Sequence, residues 1–144
     1  MSFKKILVAI DFSPPSGEAM RVAARLAAES GGALTIAHVW QLPMLGAELP
    51  MPSDIVQTMI DDAQKGLRNW TAEATKLVGR EVTSAFVTGV PWYDLVKLLG
   101  REHFDLAVVG THGRTGLKHV LLGSVAEKVV RHAPCAVLVV RKSD

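Results

Sequence analysis

The chain has 144 residues, a length that suits one domain with its own core. Lys and Arg number 16 against 14 Asp and Glu, a formal net charge of +2 with no dense basic run, which argues against nucleic-acid binding. No stretch approaches the roughly 18 apolar residues of a membrane span, and the one cysteine, Cys135, excludes an internal disulfide and fits a reducing compartment.

The N-terminal residues carry neither a long apolar stretch nor a small-residue cleavage site, so no signal peptide and a cytoplasmic location are expected. Residues 6–10 form an unbroken apolar run between Lys5 and Asp11, which predicts a strand covered on both faces. Ser13-Pro14-Pro15-Ser16 places proline just inside a helix start. Met20, Ala23, Ala24 and Ala27 follow as one helical stripe, and Gly31-Gly32 stops it. A second apolar strand is predicted over 33–40. Residues 41–52 hold three prolines and a glycine and read as a long loop. Ser53 is placed to cap a helix running to about residue 78, with Ile55, Met59, Ala63, Leu67, Trp70, Ala74 and Leu77 as its apolar stripe. A third strand is predicted over 81–88. Gly89-Val90-Pro91 then turns into a helix over 92–101, with Leu95, Leu98 and Leu99 inward. A fourth strand of the buried type is predicted over 105–109, followed by a glycine-bearing loop over 110–122. Gly123-Ser124 opens a last helix with Val125, Val129, Val130 and Ala133 as its stripe, Pro134 ends it, and a fifth strand is predicted over 135–140.

Strict alternation of strand and helix with buried-type strands predicts an α/β fold: a single-domain, doubly wound, five-stranded parallel sheet with helices on both faces. It is Rossmann-like, with an expected strand order of 3-2-1-4-5. No internal repeat or linker interrupts it. Sheets of this kind bind ligands beyond the C-terminal ends of their strands, where the order reverses. Attention therefore falls on the residues just after Ile10, Val39 and Val109.

The segment after Val109 carries glycines at 110, 113, 116 and 123. Glycines let the backbone approach a ligand closely. Gly123-Ser124 at a helix start offers N–H groups and a dipole that favour an anion, and the Ser124 hydroxyl adds a donor. The same residues suit a mobile loop with Ser124 as a plain N-cap, and glycine content alone leaves the two readings even. A P-loop would need Gly-x4-Gly-Lys-Ser/Thr, which is absent, as is Gly-x-Gly-x-x-Gly.

Gly110-x2-Gly113-x9-Gly123-Ser124 resembles the Gly-2x-Gly-9x-Gly-Ser/Thr signature of ATP-binding members of the universal stress protein family. The resemblance covers the whole chain. It takes in the opening Lys-Lys-Ile-Leu-Val-Ala-Ile-Asp, the Ala-His-Val of strand two and the closing Pro-Cys-Ala-Val-Leu-Val-Val. It implies ATP, with Mg²⁺, as ligand. Asp11 is similar to the acid that contacts the nucleoside end of the ligand, although it also suits a cap for the helix near Ser13. Ala9 stands where some relatives carry a proline beside the base, and Val39 resembles the residue whose backbone reads the adenine edge. Gly110, His112, Gly113 and Arg114 would surround the ribose and phosphates, and Gly123, Ser124 and Val125 the phosphates. Arg114 and Lys118 would offset phosphate charge, Lys118 equally suiting a solvated loop.

His112 and His119 lack the paired carboxylate or third ligand that a metal site needs. His38 and His132 read as structural, Cys135 as a buried, inert thiol, and Trp40, Trp70 and Trp92 as packing residues. The expected function is an ATP-binding regulatory protein of stress response, at most a slow ATPase, since no general base or Walker-type lysine is in place. A nucleotidyltransferase-like enzyme and a nucleotide-independent dimeric scaffold are the alternatives. The apolar last strand suits a sheet edge, and pairing of two copies there, which the resemblance also implies, makes a homodimer the expected assembly. The proline-rich loop suits either a lid or a partner surface.

Overall fold

Short runs of five to eight residues, mostly apolar except in the Thr- and Ser-bearing 83–88, become strands, and the longer 3.6-periodic segments between them become helices. The computed structural model describes residues 2–43, 51–111 and 122–142. The elements are β1 (Lys5–Ala9), α1 (Pro14–Ser30), β2 (Ala33–Trp40), α2 (Ser53–Val78), β3 (Thr83–Thr88), α3 (Pro91–Arg101), β4 (Leu106–Gly110), α4 (Ser124–His132) and β5 (Ala136–Val140). All strand pairs are parallel and the sheet order is β3-β2-β1-β4-β5, as the sequence predicts.

Alternate residues of the central strands feed two cores. Ile6, Val8, Leu34, Ile36 and Val108 face α1 and α2, meeting Met20, Ala23, Ala24 and Ala27. Leu7, Ala37, Ala107 and Val109 face α3 and α4, meeting Leu95, Leu98, Leu99, Ala126 and Val129. Both faces of β1 and β4 are dry, which is why those strands read as unbroken apolar runs. The edge strands differ from that expectation: β3 and β5 are half-exposed along their length.

Three local expectations are corrected. Ser53 does not cap α2; Pro52 occupies the N-cap and no side chain caps that turn. Only Leu67 and Ala74 of the predicted α2 stripe are buried, while Ile55 and Leu77 are exposed. A helix of 26 residues spans about 39 Å, well beyond the roughly 26 Å of the eight-residue β2; its C-terminal Val78 packs on the core, so the excess length lies toward its N-terminal end. In α4 the buried face is Ala126 and Val129, leaving Val125 and Val130 exposed.

The ends of α1 and α2 are tied together. The Gly31 N–H closes α1 on Ala27 O at 2.9 Å, and Gly79 closes α2 on Thr75 O at 2.9 Å. The Arg80 guanidinium, just past α2, donates to Ala27 O at 2.8 Å and Gly32 O at 2.5 Å. These charge-assisted bonds tie the end of α2 to the α1–β2 turn, the first adding a second donor to Ala27 O. Arg80→Ala is therefore expected to lower unfolding free energy by about 1–2 kcal/mol in urea denaturation, with no change in the core elements.

Candidate functional site

β1 is paired on both sides, and its pairing with β2 continues one residue past its end, where Ile10 N–H donates to Ala37 O at 2.9 Å. The chain then turns sharply through Asp11, Phe12 and Ser13 into α1. Asp11 Oδ1 accepts from the Ser13 N–H at 2.9 Å and from the Ser13 hydroxyl, while the Asp11 N–H donates to Ser16 Oγ at 3.2 Å. Ser13 is the N-cap of α1, its Oγ accepting from Ser16 N–H. Ser13, not Asp11, therefore caps α1; the Asp11 carboxylate braces the capping serine.

On the other side of the reversal, β4 ends at Gly110. A β-carbon on Gly110 would fall 2.8 Å from the Pro15 carbonyl carbon and 2.9 Å from its oxygen, so this glycine is required by the closeness of α1. Thr111 follows, buried. Its N–H donates to Val140 O at 3.0 Å, and its carbonyl accepts from Gly123 N–H at 2.5 Å. The chain therefore departs at Thr111 and returns at Gly123 to one point. Gly123, not Ser124, is the N-cap of α4, with φ −67° and ψ 165°, and no side chain caps that first turn.

These pieces surround a cleft of about 850 Å³ at the C-terminal ends of β1, β2 and β4. Ala9, Asp11, Val39, Gly110, Gly123, Ser124 and Val125 all line it. His112, Gly113 and Arg114 lie outside the described residues, as do Lys118 and His119. Sequence reasoning missed one wall, built by α2 through Met59, Asp62, Ala63 and Gly66, together with Phe12 of the β1–α1 turn. The signal available for it was Gly66, a glycine inside an otherwise good helical pattern. Among the described lining residues there are two carboxylates, Asp11 and Asp62, and neither Lys nor Arg.

The remaining candidates fall into place around this cleft. His38 is buried, its Nδ1 2.8 Å from Ile10 O, with its ring against Phe12 and Phe86. Trp40 is buried, and the Trp70 ring meets Phe12 edge-on. His132 is exposed with its ring 5.2 Å from Trp92. Cys135 is half-buried rather than fully buried. Burial first, and the negative charge of Asp105 second, push its thiol pKa up, against a smaller opposing bond with the Ala107 backbone. That leaves it a poorer nucleophile than an ordinary thiol. Among the described residues no group of three or more His, Cys, Asp or Glu could hold a metal, and no helix is long and apolar enough to cross a membrane.

The model of the universal stress protein family matches residues 2–141. The chain belongs to the universal stress protein family. It is 35% identical over 144 residues to universal stress protein A homolog 1 of Coxiella burnetii, with 97% of each chain covered. The structure of MJ0577, from Methanocaldococcus jannaschii, is similar at a TM-score of 0.86 and 27% identity, covering 100% of this chain and 99% of that one. A universal stress protein solved in complex with cAMP is similar at a TM-score of 0.71 and 27% identity, covering 99% of this chain and all of that one. In this universal stress protein, Gly110 has a packing role that precedes any ligand. Gly110→Ala is expected to cost about 1–3 kcal/mol in chemical denaturation without nucleotide, as α1 is pushed off β4. A glycine kept only for ligand access would leave that stability unchanged.

Proposed function

We propose that this chain is a nucleotide-binding regulatory protein that takes an adenine nucleotide, ATP with Mg²⁺, into the cleft at the point where the strand order reverses. The observation that carries this is the first turn of α4, capped by no side chain, opening into the same cleft as Asp11. The N–H groups of Ser124, Val125 and Ala126 are the donors a phosphate needs at a helix N-terminus. Asp11, across the cleft, is suited to accept hydrogen bonds from sugar hydroxyls. The apolar stretch of Ala9, Val39, Met59 and Ala63 is suited to a base. A family relative that binds cAMP supports an adenine nucleotide as the class.

The described residues fit the organic part of the ligand better than a protein-held metal. With no cluster of metal-binding side chains among them, Mg²⁺ would be carried mainly by the phosphates and their waters. The charge of a polyphosphate would be offset by Arg114 and Lys118, aided by backbone N–H groups, because the described lining adds no cation. His112 and Gly113 would complete the sugar and phosphate contacts. Hydrolysis, if it occurs, would be slow. The whole chain would act as one domain in the cytoplasm, with stress response as its setting. β5 is the edge strand beyond β4, and Leu138 is exposed on it, so two copies would pair there as a homodimer.

The decisive test is calorimetric titration of nucleotide-free protein with ATP and Mg²⁺, beside Ser124→Pro. Proline is tolerated in the first helical position, and the extended Gly123 before it is compatible. The variant thus keeps α4 while deleting one N–H and the hydroxyl. Micromolar binding by the native chain, weakened about tenfold or more in a variant of equal stability, supports the assignment. Absence of binding by the folded native chain overturns it in favour of the scaffold, and turnover with a defined acceptor would favour the enzyme.

A further inference from the structure

The turn after β1 is held in an unusual conformation. Phe12 has φ 66°, in the left-handed region that bulky residues avoid. Its ring is enclosed by three neighbours. The His38 ring lies 4.7 Å away, Trp70 meets it edge-on at 5.4 Å, and α2 comes so close that a β-carbon on Gly66 would fall 2.9 Å from Cε1. A glycine inside a long helix is unfavourable relative to alanine, and at position 66 the missing side chain makes room for this ring. His38 is itself fixed, through Nδ1 to the Ile10 carbonyl and by Phe86. The residues on both sides of Asp11 are thereby immobilised, Ile10 by its carbonyl and Phe12 by its ring. Ser13, the next residue, holds the carboxylate itself.

We propose that Phe12 is the positioning residue for the Asp11 carboxylate: its ring, clamped by His38, Trp70 and α2 at Gly66, maintains the left-handed turn that aims Asp11 into the cleft. What Asp11 meets there, a sugar hydroxyl, rests on the nucleotide function proposed above; what holds Asp11 does not. Were Phe12 to relax to a negative φ, the Asp11–Ser13 turn would open and the ring would leave its enclosure. Strain retained beside a binding residue is the usual form of pre-organisation.

Two variants of the full chain attack the clamp from opposite sides. Phe12→Ala removes the ring. Gly66→Ala keeps Phe12 and Asp11, presses on the ring from α2, and improves the intrinsic propensity of that helix, so it carries the test if Phe12→Ala fails to fold. The first readout needs no ligand: amide hydrogen exchange at Ser13, whose N–H bonds Asp11, compared with Val108 in the core of β4. Protection at Ser13 is expected to fall about tenfold or more in both variants, with Val108 unchanged. The second is calorimetry with ATP and 2′,3′-dideoxy-ATP. The native chain is expected to favour ATP by about tenfold or more, the value of a hydrogen bond to a charged group. The variants are expected to lose that preference, ATP falling to the affinity of the dideoxy compound, because any cost of altering the cleft wall itself falls on both nucleotides alike. Unchanged protection at Ser13, equal loss of protection at Ser13 and Val108, or equal weakening of both nucleotides would each overturn the positioning role. If the native chain binds neither nucleotide, the proposed function falls, and exchange at Ser13 alone decides whether Phe12 holds Asp11.

Discussion

Everything at the site depends on β1 having parallel partners on both sides, β2 and β4. A parallel neighbour can be reached only by a crossover, and the two crossovers here leave β1 and β4 toward opposite halves of the sheet. One carries α1, on the face it shares with α2; the other carries α4, on the face it shares with α3. The two connections start toward opposite halves of the sheet and leave a gap between them at the C-terminal ends of the two strands that no described backbone crosses. Asp11 on one side of that gap and the start of α4 on the other are consequences of strand order before they are features of a binding site.

The same gap explains why several residues serve fold and site together. Asp11 braces the serine that caps α1 and also lines the cleft. Gly110 lets β4 pass under Pro15 and also forms the cleft's floor. Thr111 joins β4 to the last strand through Val140 O and receives Gly123 at the mouth of α4. A position of this kind is constrained twice, and a substitution there changes stability and binding by separate physical routes that must be measured apart.

The sheet order and the alternation of elements were legible because the central strands are dry on both faces and so contain unbroken runs such as Ile6-Leu7-Val8. Ser13-Pro14 announced α1, and Leu95, Leu98 and Leu99 announced the inward face of α3, because capping and 3.6-residue periodicity are local. The exposure of Ile55 was not legible, since it depends on α2 outrunning the strands beneath it, nor was that of Leu77, beside which Val78 takes the place on the core. The inward face of α4 was legible only in part: Val129 is buried as its stripe predicts, but Ala126 joins it there while Val125 and Val130 are exposed. At the site, the β1, β2 and β4 contributions could be read because the strand ends mark them. The α2 wall could not, because Met59, Asp62 and Ala63 reach the cleft only through tertiary packing against the β1–α1 turn.

The hydrogen bond from the Gly123 N–H to Thr111 O joins the two ends of the excursion between β4 and α4. The Thr111 N–H on Val140 O adds β5 to the same junction. Loop-closure entropy grows only logarithmically with length, so doubling such an excursion would destabilise the fold by only about 0.6 kcal/mol. An insertion between Gly113 and Gly123 would thus break the fixed spacing of the nucleotide signature at little cost to folding.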